Sequence, residues 1–242
     1  MLERLQQVVD RVADWCYPRI CPGCGAPSDR AGRELCWSCF SRLELQPHAQ
    51  CSLCGHPVEG EVSHAFVCGA CRAARPAFDR ARAAGRFVGL LRARIHEFKY
   101  GNALWLRRDL ADLLVGCVDA QFDAAAVDVV VPVPLHPVRA RERSYNQSAL
   151  LAQELAGRMG RRFDGRSLVR TRLTETQTHL NAAHRRANIA GAFAASRPEW
   201  IAGRCVLVVD DVMTTGATLS ECARALKKAG ARTVWALAVA RG

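Results

Sequence analysis

The sequence predicts an α/β protein: a doubly wound parallel sheet, preceded by a small N-terminal domain built on cysteines. From about residue 82 onward, short runs of branched apolar residues alternate with stretches of helical apolar spacing, as successive βα units require. Before that point, four Cys-x-x-Cys pairs fall between residues 21 and 71. Charge divides the chain in the same way. Residues 1–80 carry nine Lys/Arg and nine Asp/Glu, and residues 81–242 carry twenty-five against fourteen, so the whole formal charge of +11 lies in the second part. We expect domains at 1–76 and 82–242, parted where Pro76 interrupts a polar stretch.

The first sixteen residues place Leu2, Leu5, Val9 and Val12 at helical spacing, which predicts a short amphipathic helix. Glu3 and Asp10 interrupt any signal-peptide core, and no apolar run approaches the ~18 residues of a membrane span. The expectation is a cytoplasmic protein with no membrane insertion. In a reducing compartment twelve cysteines point to metal rather than disulfides.

Cys21-Pro-Gly-Cys24 and Cys36-Trp-Ser-Cys39 are eleven residues apart, and Cys51-Ser-Leu-Cys54 and Cys68-Gly-Ala-Cys71 are thirteen apart. One such turn aims two thiolates at one ion, and a second turn completes a closed tetrahedral shell suited to structural Zn2+. Two zinc ions are therefore expected, bound by neighbouring turns in sequence, although an interleaved pairing stays open. Gly23, Gly25, Gly55 and Gly69 fit turns that need positive φ. Few apolar residues surround these cysteines, so metal must supply much of the local folding energy. Cys16, Cys117, Cys205 and Cys222 have no partner at ligand spacing and read as small core residues.

In the second part, Arg82–Leu91 reads as a strand or hairpin arm and Leu104–Cys117 as a helix. Val127–Pro134 is a nearly continuous apolar run, the mark of a central parallel strand buried on both faces. Tyr145–Met159 reads as a helix capped by Asn146 or Ser144. A strand at Val206–Val209, a helix at Leu219–Lys228 ended by Gly230, and a strand at Thr233–Ala240 complete the pattern.

The stretch Val206-Leu-Val-Val-Asp-Asp-Val-Met-Thr-Thr-Gly-Ala-Thr218 carries the chemistry. Ligands bind beyond the carboxyl ends of strands in such sheets, where Asp210 and Asp211 fall. The turn Thr214, Thr215, Gly216, Ala217 and Thr218 opens the next helix, whose free N–H groups and dipole favour an anion. A phosphate cradle beside carboxylates suited to vicinal hydroxyls fits a sugar monophosphate. A plain helix cap with an acidic turn accounts for one Thr and one Asp, not for the cluster.

This stretch resembles the phosphoribosyl-pyrophosphate (PRPP) motif of type I phosphoribosyltransferases. The resemblance implies that Asp210 and Asp211 hold the ribose hydroxyls that also ligate Mg2+, and that residues 214–218 hold the 5-phosphate. With the eight cysteines, Phe98-Lys-Tyr-Gly101, Val131-Pro-Val-Pro-Leu-His136, Arg139…Arg143-Ser-Tyr-Asn-Gln147 and Arg170…Gln177…Arg185…Phe193, the chain is similar to the ComF family, which joins a double zinc ribbon to such a domain. It implies a pyrophosphate loop after Val131–Pro134 with Arg139 and Arg143 as donors, and a lid over 170–190 with Gln177 and Arg185 acting at the reaction centre. Ser144 stands where the family usually has Gly. The lid segment also resembles amidophosphoribosyltransferases, but residue 2 is Leu where an N-terminal nucleophile needs Cys, so glutamine-dependent amination is not expected.

The resemblance further implies a role in natural competence and in handling DNA with the competence machinery. Two readings follow: a transferase whose acceptor the sequence does not identify, or a non-catalytic PRPP-sensing or single-stranded-DNA-binding protein on the same fold. The second draws on the concentrated positive charge. Phe98, Tyr100 and Tyr145 are available to stack on bases, but core packing is the plainer role for each.

Overall fold

A computed structural model describes residues 19–58, 60, 65–143, 145–173 and 187–242. The expected N-terminal helix, Cys16 and Ser144 lie outside the described residues. In chain order the elements include helices α1 (Trp37–Ser41) and α2 (Gly69–Ala73), strand β1 (Arg80–Arg86), and helices α3 (Gly89–Tyr100) and α4 (Arg107–Gln121). Strand β2 (Val129–Pro132) and helices α5 (Pro137–Arg143) and α6 (Gln147–Met159) follow. Strands β3 (Arg162–Phe163), β4 (Leu168–Arg170), β5 (Phe193–Ala195) and β6 (Cys205–Met213), helix α7 (Ala217–Lys228) and strand β7 (Thr233–Arg241) complete the series.

Five strands form one parallel sheet in the order β1-β7-β6-β2-β3, and β4 pairs antiparallel with β5 apart from it. Side chains alternate along a strand, so a sheet covered on both faces makes its strands apolar throughout. In β6, Leu207 and Val209 join Leu110, Leu114, Leu151 and Leu155 of α4 and α6 on one face. Val206 and Val208 join Leu219, Cys222, Ala223 and Leu226 of α7 on the other. The chain leaves β2 toward β3 and returns to β6 on β2's other side. The strand order thus reverses between β2 and β6, which opens a crevice at their carboxyl ends. Among the described residues no helix is long and apolar enough to cross a membrane.

Two elements depart from the sequence expectation. The stretch Arg82–Leu91 splits: β1 stops at Arg86 and α3 begins at Gly89, burying Leu91, Arg94, Ile95 and Phe98 at helical spacing. Strand β6 continues beyond Val209 to Met213, because β7 runs alongside it with Asp210 opposite Ala238 and Val212 opposite Ala240. The acidic pair therefore belongs to the strand's last residues.

The cysteine-rich segment completes the sheet. An edge strand leaves N–H and C=O groups in need of partners. Arg86 N–H donates to Glu44 O at 2.7 Å, Gln46 N–H to Ala84 O at 3.0 Å, and Ala81 N–H to Leu53 O at 2.7 Å. Gly85 permits this approach, since a Cβ there would meet a Leu91 methyl at 2.5 Å and Glu44 O at 3.0 Å. Cys21, Cys36 and Cys39 share the core of α3 and α4, whereas Cys51, Cys54, Cys68 and Cys71 share the core of the opposite face.

Charge locks the first unit to α4. Arg30, only 7 % exposed, stacks 3.8 Å over the Phe40 ring. It donates to Asp109 at 2.7 Å and Asp112 at 2.5 Å. Asp112 also takes Arg33 at 2.7 Å and Arg158 at 2.5 Å. Burial raises the Asp112 carboxyl, but the Arg33 and Arg158 guanidiniums outweigh burial and hold it below the ordinary carboxylate range. A depressed folded pKa gives stability that is present above the unfolded value of about 4 and is lost as pH falls through the folded value. Asp112→Asn is expected to cost about 2–3 kcal/mol, discounted from the fully buried case for partial exposure. Urea midpoints between pH 7 and pH 3 check this: the gap between wild type and variant should narrow as pH falls.

Candidate functional site

The cysteines form two clusters, Cys21/Cys24/Cys36/Cys39 and Cys51/Cys54/Cys68/Cys71, each with Sγ atoms within 4.8 Å of one another. The turns therefore pair in sequence, not interleaved. Sγ separations of 3.7 Å for Cys24–Cys36 and Cys54–Cys68 match the ~3.8 Å edge of a tetrahedron with ~2.3 Å Zn–S bonds. Cys36 and Cys68 precede α1 and α2, whose first turns deliver Cys39 and Cys71. Backbone N–H groups of Cys36 and Cys68 donate to the Cys21 and Cys51 sulfurs at 3.4 and 3.3 Å. Burial raises the Cys21 and Cys51 thiols, but such backbone donors prevail and bring each down to about 7. Burial pushes Cys39 up to about 12. Thiols so unlike, packed this closely, ionise together only around a cation, which is the chemistry of structural zinc.

The glycines in these turns serve different ends. Gly25 and Gly55 have φ of 76° and 67°, as expected. Gly23 and Gly69 do not have positive φ. Gly23 instead gives clearance, since a Cβ there would lie 2.7 Å from Cys39 Sγ. Cys117, Cys205 and Cys222 are buried core residues.

The second set of groups gathers in the β2–β6 crevice. Asp210 Oδ1 accepts from Ser148 Oγ and from the Asp211 N–H, both at 2.9 Å. Asp211 Oδ1 pairs with Lys99 Nζ at 2.9 Å. Among the described residues no hydrogen bond engages either Oδ2, so each carboxylate is fixed by one oxygen and offers the other. Burial and the neighbouring Asp211 charge push Asp210 up to about 7. Burial works against the Lys99 ammonium, but Asp211 prevails and raises it above its usual value. Asn146 caps α6, accepting from the Ser148 and Ala149 N–H groups at 3.0 and 3.4 Å, and donates to Val133 O at 3.0 Å. That anchor brings Ser148 to the acidic pair.

Next to the pair, Thr214 and Thr215 are exposed and Thr218 is half-buried. Gly216 takes φ 76° and caps α7 with no side-chain hydrogen bond of its own. Ala217 N–H donates to Thr215 Oγ1 at 3.4 Å, and the next N–H groups of α7, those of Thr218 and Leu219, are the ones free to meet an anion. A cavity of about 990 Å3 runs from Thr214–Ala217 to the second cysteine cluster, past Phe78, Ile189, Arg224 and Arg241. The expected loop after β2 is instead helix α5, which carries Arg139. Burial lowers the Arg170 guanidinium, with Cys222 and Asp210 opposing the shift and Arg139 and Arg172 reinforcing it. The Arg143 side chain, Gln177 and Arg185 lie outside the described residues.

The crevice adds two residues that sequence reasoning did not assign. Lys99 stood inside Phe98-Lys-Tyr-Gly101, a segment quoted only for its resemblance. Ser148 had no signal of its own beyond its place in the first turn of a capped helix.

Comparison with known proteins finds a match for each part of the chain. Residues 12–72 match the double zinc ribbon domain, and residues 146–242 match the phosphoribosyl transferase domain. The chain is 34 % identical over 225 residues to competence protein F of Haemophilus influenzae, covering 90 % of this chain and 96 % of that protein. The chain belongs to the ComF family. Another relative is DNA utilization protein YhgH of Salmonella typhi, 33 % identical over 219 residues, with 84 % of this chain and 96 % of that protein covered. Competence protein ComFC of Bacillus subtilis is 28 % identical over 207 residues, covering 81 % of this chain and 79 % of that protein. The zinc ribbon match spans both cysteine clusters, and the transferase match spans Ser148, the acidic pair and the Thr214–Thr218 turn.

As a double-ribbon ComF protein, the purified chain should carry two zinc ions, one per cluster. Metal analysis of Cys36→Ser should show one zinc lost, and Cys117→Ser should keep both.

Proposed function

We propose that this ComF chain binds PRPP with Mg2+ in the β2–β6 crevice and works in DNA uptake as a phosphoribosyltransferase-like protein. One observation carries the reading: two carboxylates, each offering an oxygen, stand near the end of β6, and a short Thr-containing turn leads from that strand to a left-handed Gly216 that opens the N-terminus of a twelve-residue helix. The helix end and the Thr hydroxyls receive the 5-phosphate. Asp210 and Asp211 accept from the ribose hydroxyls, and Mg2+ supplies charge compensation for the pyrophosphate. Support for the biological setting comes from the relatives, named as competence and DNA utilization proteins.

Transfer at ribose C1 breaks the bond to pyrophosphate through an oxocarbenium-like transition state. The protein's part is to orient the ribose, stabilise the departing charge and exclude water. Arg139, on the helix that follows β2, is proposed to meet that charge, and Arg143, Gln177 and Arg185 are proposed to act with it. The acceptor is not assigned.

With Mg2+ and PRPP at about 100 times its dissociation constant, linkage gives about 2.7 kcal/mol of stabilisation. For a chain of this size, that is a melting shift of about 5–10 °C. Asp211→Asn should reduce the shift. Equal shifts in wild type and variant would place the ligand elsewhere.

A second reading rests on the concentration of the +11 charge in residues 81–242. If this part grips single-stranded DNA through phosphates, log affinity falls linearly with log salt, by about 0.7 per phosphate contacted. Arg161→Glu with Arg162→Glu should flatten that slope, and Asp211→Asn should leave it unchanged. A DNA titration at several salt concentrations, with and without Mg2+-PRPP, decides it. Full competition by PRPP would argue against a separate DNA surface.

A further inference from the structure

Lys99 lies on α3, outside the phosphoribosyl transferase match, yet its ammonium reaches the acidic pair. Lys99 Nζ and Asp211 Oδ1 are 2.9 Å apart, with side chains only 18 % and 10 % exposed. Two carboxylates on adjacent residues repel each other. Asp210 is restrained by the Ser148 hydroxyl, a neutral donor, and among the described residues the ion pair found at these two acids is the one that Lys99 makes. A lysine this deep is costly unless paired, so leaving Asp211 to follow a departing pyrophosphate would expose two buried charges at once.

The lysine's position is set from the opposite direction. Leu91, Ile95 and Phe98 of α3 are buried in the same core as Cys21, Cys36 and Cys39. Arg94 donates to Pro22 O, inside the first cysteine turn, at 2.9 Å and pairs with Glu97 at 2.8 Å. Ile95 and Lys99 are one helical turn apart, so the contact that seats Ile95 also sets the height of the ammonium.

We infer that Lys99 is a positioning residue which aims Asp211 at the ribose hydroxyls, from a helix seated by the first zinc unit. This rests on the PRPP reading above. It means that Lys99 acts through Asp211, not through the pyrophosphate.

The test is calorimetric titration of the full-length, zinc-loaded chain with two probes in Mg2+: ribose 5-phosphate, which lacks the pyrophosphate, and PRPP. Lys99→Met should weaken both by the same factor, about tenfold for one lost charge-assisted contact. Lys99→Arg should recover most of the loss. Added to Asp211→Asn, Lys99→Met should change neither affinity further, because the pair acts as one unit. That comparison does not depend on Lys99→Met folding alone, since the double variant removes both members of the buried Lys99–Asp211 pair. A loss confined to PRPP, or a further fall in the Asp211→Asn background, would overturn the inference. Wild type that binds both probes while Lys99→Met matches it overturns this inference alone. Wild type that binds neither overturns the PRPP reading together with it.

Discussion

An open parallel sheet has an edge, and covering that edge at β1 is the constraint on which the rest of this molecule depends. β1 is buried along five consecutive residues, Ala81–Gly85, but among the described residues no further strand of the sheet lies beyond it. The cysteine-rich segment takes that place, hydrogen-bonding to β1 at Ala81, Ala84 and Arg86 and sending one cluster into each hydrophobic layer. Few apolar side chains are available there, so the rigidity of the cover comes from the metal shells. The ribbon is thus part of the sheet's core.

From that edge the arrangement propagates inward. The first cluster seats α3, which carries Lys99 to the tip of β6. Reversal of strand order between β2 and β6 opens the crevice, and Asn146 ties the start of α6 to the end of β2. That tie fixes Ser148 under Asp210. Each carboxylate is held by a residue from a different helix, and the N-terminus of α7 beyond them is the anion site we propose. Geometry at the crevice therefore depends on contacts made on both sides of the sheet.

Much of this was legible in the sequence because the determinants are local. The ligand turns declare themselves by spacing, since two thiolates two residues apart can reach one ion. β2, β6 and β7 read as continuous apolar runs because both faces are covered. The acidic-threonine stretch holds its chemistry within nine residues, Asp210–Thr218. What escaped depends on distant partners. α3 hides behind a buried Arg94, which looks solvated until Pro22 O accepts from it. Nothing in the sequence singles out Arg30, Asp109 and Asp112, yet they form a network between the first cluster and α4. The full length of β6 is set by β7, and the short strands β3, β4 and β5 exist only through their pairing. Lys99 was visible as a residue of a family segment, but its role needs Asp211 across the crevice.

The central claim is that the zinc ribbon and the sheet are one cooperative structure. It is tested most directly by following denaturant unfolding with two probes on one sample: far-ultraviolet circular dichroism for the sheet and its helices, and a chelating dye for released zinc. The account predicts coincident transitions with a single midpoint, as for any two-state unit. Release of both zinc ions well before the sheet signal changes, with the sheet then unfolding at an unaltered midpoint, would contradict it.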